Sequence, residues 1–434
     1  MLWHRSDIPP ADLSLQPLSY LAKGNGLSAS RSSWTDPNAV HLTVRLEGKH
    51  TASHEGYDEG HISLHRGVDR LLVHRNLQAP SITNTTIVFK EASHHAMNPA
   101  QTSPAIDREA EGETYYYVRG DITNAWRRQY NADRALLFRR SVLHLRPNHV
   151  VVSDVTRSNA VYDPTHTKKW YSQYGSAPTV TGNRILSVVG SSRVYVETLH
   201  PTGGTYTTTN PATGYWTTAY APAEMEERQS WLHVIEATGA SSAQVPVELI
   251  DGTGGRGALI GGTTVAMFTK DPDGASITSL SYTVDTSGSS THYIADLIPN
   301  ASYEVTIDGG APAQHFASAA GLIVFENPTA SPHTYEIVQS GTVTCYRDRD
   351  GDRYSDGMMA TAAACPTDYY TVAQLIAISG DCNDTNHSIH PGAVEICGDG
   401  IDQDCSGADL PCSGGLLGRV RAGKVRTDKT VRVR

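Results

Sequence analysis

The sequence predicts an all-β protein built on an antiparallel β-sandwich, and three observations carry that prediction. Short runs such as Val40, Leu42, Val44 and Leu46 alternate with other residues at period two, as half-buried strands do. Tyr, Thr, Ser, Gly and Val are plentiful, while long apolar stretches of helical period are few. Turn residues bound nearly every run. With 434 residues the chain is long enough for two or three domains. No apolar run of about 18 residues occurs, so a transmembrane helix is excluded.

Residues 1–27 contain Pro9-Pro10, Pro17 and Gly24-Asn25-Gly26, the texture of a linker entering a domain. The N-terminus lacks the basic start, apolar middle and small-residue cleavage site of a secretory leader. The segment Ser33–Asn76 reads as strand, loop, strand, turn, strand. Its loop concentrates His54, Glu55, Tyr57, Asp58, Glu59 and His61 between two alternating runs, the placement in which function tends to sit. Across residues 28–250, Thr85–Phe89, Thr114–Val118, Ala135–Phe138, Val150–Val155 and Ser192–Glu197 are β-branched or aromatic and turn-bounded, which predicts stacked antiparallel sheets. Residues 251–340 continue in β texture and predict a further small β segment, completing or following the sandwich.

Residues 341–412 change character. Twelve Asp and Glu stand against three Arg, a net of −9 (3 − 12), so this segment holds most of the chain's formal charge of −10. All six cysteines (345, 365, 382, 397, 405 and 412) lie here. An even, clustered set reads as a local disulfide framework and an extracytoplasmic destination, with about fifteen pairings open. Such a block must be organised by disulfides, metal or both. Carboxylates at alternate positions, Asp348, Asp350, Asp352 and Asp356, with a backbone carbonyl expected at Tyr354, are how a looping chain wraps oxygen ligands round Ca²⁺. The early Gly351 and the missing glutamate at the twelfth place exclude a full EF-hand. Asp381, Asp384, Asp399, Asp402 and Asp404 extend the ligand set, and hard oxygens favour Ca²⁺ over zinc or copper, although His387, His390 and Met358-Met359 would suit a softer ion. Residues 413–434 form a basic, low-complexity tail, read as a solvated tail rather than a nucleic-acid contact.

Two resemblances add to this reading. Ser33-Trp34, Ala39, Gly48, His54, Asp58, Gly60, Gly67 and Leu71-Leu72 fall in order into the frame that opens the β-sandwich of heparinase II/III-type polysaccharide lyases. The similarity recurs in Tyr115–Asp121, Arg139–Leu143 and Pro147–Asp154. It implies a super-sandwich, an acidic, uronate-containing polysaccharide as partner, and cleavage by β-elimination. That reaction removes the proton beside the carboxylate and expels the glycosidic oxygen, so it needs a tuned base, an acid and a group that neutralises the carboxylate. His54 matches the histidine that the family places at its cleft, with Tyr57 and Asp58 as neighbours. A helical toroid precedes the sandwich in that family and supplies most of its acid and base; this chain has only a short stretch before Ser33, so it is expected to be weak or inactive alone. The family's zinc positions read Gly56, His74 and Thr83 here, of which one can ligate, and His61, His65, His94 and His95 have no supporting spacing, so zinc is not expected in the sandwich. The competing expectation is a non-catalytic surface or glycan-binding protein derived from the lyase sandwich.

The second resemblance covers the acidic segment. The string from Cys345 through Gly380-Asp381-Cys382-Asn383-Asp384 to Cys412 is similar to a short, cysteine-framed metal-binding motif of bacterial surface proteins. It implies folding coupled to metal.

Overall fold

A computed structural model describes residues 16–22, 26–46, 60–73, 86–89, 106–123, 135–212, 215–362 and 365–412. Among them the regular elements are strands, apart from a 3₁₀ turn at Val372–Gln374, residues 375–412 are irregular, and the chain divides into two compact units at Val343/Thr344. The strands of the first part are β1 (Ser19–Ala22), β2 (Leu27–Arg31), β3 (Val40–Arg45), β4 (Ile62–Arg66), β5 (Asp69–Leu72), β6 (Thr86–Phe89), β7 (Ile106–Glu111), β8 (Tyr115–Asp121), β9 (Ala135–Leu145), β10 (His149–Ser158), β11 (Lys168–Tyr174), β12 (Thr179–Thr181), β13 (Arg184–Val189), β14 (Ser192–His200), β15 (Thr205–Ala212), β16 (Tyr215–Ala221) and β17 (Arg228–Gly239). They form two antiparallel sheets. One runs β1-β2-β3-β4-β5-β11-β16-β15, with β6 beside β11; the other runs β12-β13-β14-β17-β10-β9-β8-β7.

Alternation explains how the two sheets face each other. Val40, Leu42 and Val44 of β3, Ile62 and Leu64 of β4, and Trp170 of β11 pack in one cluster with Val118, Phe138, Val150, Val152 and Trp231 from the second sheet. Each fully buried side chain of this size stabilises by about 1.5–3 kcal/mol. The second sheet has no solvent face along much of its length. Tyr117, Leu143, Val151, Leu232 and Val234 point away from the first core and join Ala258, Ile260, Phe268, Tyr293 and Leu322 in another. A strand buried on both faces carries no alternation, and β10 reads accordingly, with eight consecutive described positions from Val150 to Arg157 of which only Arg157 is not buried.

The partner in that second core is a smaller pair of sheets. Its strands are β18 (Val247–Asp251), β19 (Gly255–Ile260), β20 (Thr264–Thr269), β21 (Ser279–Thr286), β22 (Ser290–Ile294), β23 (Ser302–Ile307), β24 (Ala313–Phe316), β25 (Ile323–Asn327) and β26 (Ser331–Gln339). They run β18-β19-β20-β22-β25 and β21-β26-β23-β24, with β20 and β22 parallel and the other pairs antiparallel. Stacked aromatics, Tyr282 on Tyr335 at 5.1 Å and His292 on Phe325 at 4.8 Å, fill the space between these two sheets.

The second unit has little apolar interior. Its strands are β27 (Val343–Arg347), β28 (Met359–Ala362) and β29 (Tyr369–Thr371), in the order β28-β27-β29. Among the described residues its buried apolar side chains are Cys345 and Ile389, while Met358, Met359, Val394, Ile396 and Leu410 are exposed. Three disulfides hold it: Cys345–Cys365, Cys382–Cys405 and Cys397–Cys412. Closing loops of 20, 23 and 15 residues removes unfolded-state entropy worth about 3 kcal/mol each, which offsets the missing core.

Candidate functional site

His54, Tyr57 and Asp58 lie outside the described residues, as do Gly56, His74 and Thr83. The structure does describe both ends of the β3–β4 loop that carries the first three. Arg45 N donates to His61 O at 2.9 Å and Gly60 N to Arg45 O at 2.7 Å, so the loop leaves and re-enters through one antiparallel pair. Gly60 sits at φ +78°, and a Cβ there would lie 2.6 Å from Thr86 Oγ1; only glycine fits this exit. The Gly60 carbonyl accepts from Arg140 Nη1, and Arg140 in turn grips both oxygens of Asp154 at 2.7 Å. Gly67 holds the next turn at φ +55°, where a Cβ would lie 2.6 Å from Pro37 O. Ala39, Leu71 and Leu72 are core. Ala39, Gly60, Gly67, Leu71 and Leu72 therefore have a structural reason to be what they are.

A second buried charge centre ties the large sheets to the small ones. Asp296, at φ +59° and 2% exposed, accepts from Tyr117 Oη at 2.9 Å, Ser141 Oγ at 3.1 Å, Arg119 Nη1 at 3.3 Å and Thr269 N at 3.3 Å. Burial pushes its carboxyl up, but Arg119 and Arg108 outweigh that and hold it below the usual range. With every oxygen claimed, this centre is an internal strut.

In the second unit, Asp348, Asp350 and Asp352 each bring a carboxylate oxygen within 4.8 Å of the others. Asx-type turns aim them: Asp348 accepts from Gly351 N at 2.8 Å and Arg353 N at 3.0 Å, and Asp352 from Tyr354 N at 2.7 Å. Gly351 at φ +80° and Arg353 at φ +75° let the loop wind that tightly. Asp381, 7% exposed, comes to the same loop from a distant segment, its amide donating to Ser355 O at 3.1 Å. Its Oδ1 accepts from Asn383 N at 2.8 Å, while its Oδ2 is buried without a hydrogen-bond partner, as are Asp350 Oδ2 and Asp352 Oδ2. Burial, then the nearby Asp352, Asp350 and Asp384, push the Asp381 carboxyl up to about 6. Burial also raises Asp348 and Asp352. Oxygens left buried, crowded and unpaired cost free energy unless a cation answers them.

The other carboxylates are placed differently. Asp356 pairs with Arg347 Nη2, and Asp384 accepts from Arg349 N at 2.8 Å and lies 2.9 Å from Arg347 Nε. Tyr354 stacks its ring on His390 at 4.5 Å. Asp399 bonds Gln403 Nε2 at 2.7 Å and Ile401 N at 2.9 Å. Asp402 and Asp404 cluster with Glu395, a residue the sequence reading passed over. Their oxygens take backbone amides: Ser406 and Gly407 for Asp402, Ser406 for Asp404, Asp404 and Leu410 for Glu395. Glu395 stands apart from the alternating aspartates, and its position inside the cysteine frame was the signal available.

The family described as "Cu-binding_MopE: Putative metal-binding motif" matches residues 381–409. No curated protein matches the chain. Among solved structures, a heparinase III (the BT4657 gene product) is 11% identical, with 56% of this chain and 41% of that one covered and a TM-score of 0.45. The heparan sulfate lyase HepC from Pedobacter heparinus is 12% identical over 56% of this chain and 41% of that one, with a TM-score of 0.42. This chain thus spans about two fifths of the length of either structure. Among the described residues no helix is long and apolar enough to cross a membrane, which says nothing of strands. The stacked sheets are similar to heparinase III, and the C-terminal unit carries a metal-binding motif.

Proposed function

We propose that the chain is the sandwich-bearing part of an extracytoplasmic polysaccharide lyase acting on uronate-containing glycans, with a Ca²⁺-binding C-terminal unit. The observation that carries the first half is the anchored loop. A segment holding His54, Tyr57 and Asp58 is hung between two core strands, and its exit is gripped by the buried Arg140–Asp154 pair through Gly60. Holding the two ends of a titratable segment on a rigid sheet is a precondition of positioned acid–base chemistry. In this reading His54 assists at the sugar's anionic centre, Tyr57 and Asp58 flank it, and the principal acid and base come from a helical domain joined to the sandwich. Three disulfides support an oxidising, extracytoplasmic setting.

Asp348, Asp350, Asp352 and Asp381 would hold the cation, with the Tyr354 carbonyl beside them. Asp384, Asp399, Asp402, Asp404 and Asp356 complete the acidic frame. The donor set fits a hard divalent ion because it is all oxygen and leaves buried oxygens unpaired. Bound there, the ion supplies charge and rigidity to a unit without a core.

Release of unsaturated uronate products, followed in the ultraviolet on several acidic glycans, tests the activity. The reading expects His54→Ala to abolish what the wild-type chain releases. Product release by that variant at the wild-type rate would remove His54 from the site, and none from the wild-type chain even when joined to a helical domain would leave the glycan-binding alternative. Calorimetry with Ca²⁺ before and after chelation tests the cation.

A further inference from the structure

The outer face of the first sheet carries a row of basic side chains that the loop chemistry does not use. Cross-strand register sets Arg31 of β2 opposite His41 of β3, His41 opposite His65 of β4, and His65 opposite Arg70 of β5. Neighbours at alternate positions, Val40, Leu42, Leu64 and Leu71, face the core, so the four basic groups share the outer side. Strands lie about 4.8 Å apart, which makes the row about 14 Å long. Thr43 and Ser63, also cross-strand partners, lie next along the same face.

Among the described residues of the sheet, little acidic balances the row. The sole acidic residue of β1–β5 is Asp69, and its carboxylate is held by Ser191 N at 3.0 Å, Ser191 Oγ at 3.1 Å and Ser192 Oγ at 2.8 Å. Glu111, which reaches Ser19 at the sheet edge, is already paired with Arg146 at 2.7 Å. The Arg31 guanidinium donates from Nε to Ser33 O at 3.1 Å, and its terminal nitrogens meet no carboxylate among the described residues. Burial and the neighbouring Arg31 and His65 hold His41 below its usual range; burial and Arg70 do the same for His65. At neutral pH the row therefore carries its charge on the two arginines at its ends, with two uncharged imidazoles between them.

At the Arg31 end the row opens into a pocket of about 450 Å³, lined in part by Tyr20, Arg31, Trp34, His41 and Thr43. The Trp34 indole is fixed, with Nε1 donating to Pro17 O at 3.0 Å and Gln16 O at 3.2 Å, and Arg31 lies 4.4 Å over its ring. Tyr20 is 66% exposed. Aromatic faces, imidazoles and hydroxyls suit sugar rings and their hydroxyls, while the arginines suit carboxylate or sulfate.

We infer that the Arg31–His41–His65–Arg70 row and the Trp34–Tyr20 pocket form a binding track for an acidic glycan on the outer face of the sheet. The inference rests on the acidic-glycan reading above but names a surface separate from the β3–β4 loop. The chain's net charge of −10 works against long-range attraction of any polyanion, so the choice of a glycan rests on the local groups: the Trp34 and Tyr20 faces, the imidazoles and the Thr43 and Ser63 hydroxyls.

The test is binding of heparan sulfate and polygalacturonate to the full chain by titration calorimetry over a salt series, with dextran and single-stranded poly(dT) as comparison probes. The wild-type chain is expected to bind at least one acidic glycan and not dextran. The pair Arg31→Gln and Arg70→Gln together should weaken it about tenfold and flatten its salt dependence, since fewer charges are neutralised. Arg184→Gln, on an exposed arginine bonded to Gln244, should leave binding unchanged. Oxidative footprinting of the wild-type chain, which needs no variant to fold, should show glycan protection of Trp34 and Tyr20. Equal binding by the double variant, equal loss in Arg184→Gln, absent protection, or poly(dT) bound as tightly as the glycan would each overturn the track. Failure of lyase activity alone would not touch it, and product release with unaltered binding in the double variant would sink the track while sparing the lyase.

Discussion

Arg140 and Asp154 face each other across β9 and β10 with both side chains fully buried, joined by two 2.7 Å hydrogen bonds. The same guanidinium reaches Gly60, where the loop of His54, Tyr57 and Asp58 re-enters the sheet. Coulombic gain between such groups barely exceeds the cost of drying them, yet removing one partner strands the other. Arg140→Met should therefore destabilise the chain by about 3–5 kcal/mol, and Asp154→Leu added to it should recover part of that loss. Denaturant midpoints of the two singles and the double decide it: additive losses would mean that the pair is not a unit.

Burial sets a second expectation, at acid pH. His144 is fully buried, with Nδ1 bonded to Ser30 Oγ at 2.9 Å and Nε2 without a partner. Burial, then Arg146, pushes it down to about 3. A folded-state value below the unfolded one means that the unfolded chain binds the proton first. Stability from neutral His144 is therefore intact above about pH 6.5 and drains as the pH falls, reaching about 3 kcal/mol at pH 4. His233, buried against Trp170, adds to the trend in the same direction. The slope of unfolding free energy between pH 6.5 and 4 is the readout, and His144→Leu should flatten it.

Much of the sandwich was legible in the sequence because β3 and β4 each bury one face, and one-sided burial writes itself as alternation. β10 was legible as a strand but not as a layer between two cores, since burial on both faces erases the pattern. The joining of β6 and β5 to β11 was illegible, being a pairing of distant segments. In the acidic unit, alternation exposed Asp348, Asp350 and Asp352. It could not distinguish Asp381, whose Oδ2 is buried without a partner, from Asp356, which turns to Arg347. Whether a carboxylate meets a cation or an arginine is decided by tertiary contact, which spacing does not encode.

Asp296 supplies a test of the strut between the large and small sheets. Replacing it with Asn keeps the shape and removes the fully buried counter-charge of Arg119 and Arg108, although Arg119 keeps its bidentate pairing with the half-exposed Asp107. Because Asp107 still answers Arg119, the loss should fall below the about 3–5 kcal/mol of a fully stranded buried charge, and it should be largest near neutral pH. Because Asp296 sits below the usual carboxylate range, its contribution is present above the unfolded value near 4 and disappears on acidification. A urea midpoint difference between wild type and variant that grew as pH fell would contradict this account.

The disulfides should matter to one unit alone. Cys382→Ala with Cys405→Ala opens a 23-residue loop and should cost the C-terminal unit about 3 kcal/mol. The tryptophan signal of the sandwich should be unmoved, since no tryptophan lies beyond residue 343. Limited proteolysis read by mass, with cuts confined to residues 344–412, is the direct check.

Asp381 discriminates a cation site from an ordinary acidic loop through the sign of its effect. Asp381→Asn retains the Oδ1 that accepts from Asn383 and removes a buried, unpartnered negative oxygen from the company of Asp350 and Asp352. In chelator the variant should therefore be as stable as the wild-type chain or more so. With Ca²⁺ in hundredfold excess over its dissociation constant, the wild-type unit should gain about 2.7 kcal/mol and the variant far less. Thermal unfolding of the C-terminal unit, with and without Ca²⁺, measures both arms. A variant weaker than wild type in chelator as well as in Ca²⁺ would make Asp381 a hydrogen-bonding residue of the loop and would remove it from the cation site.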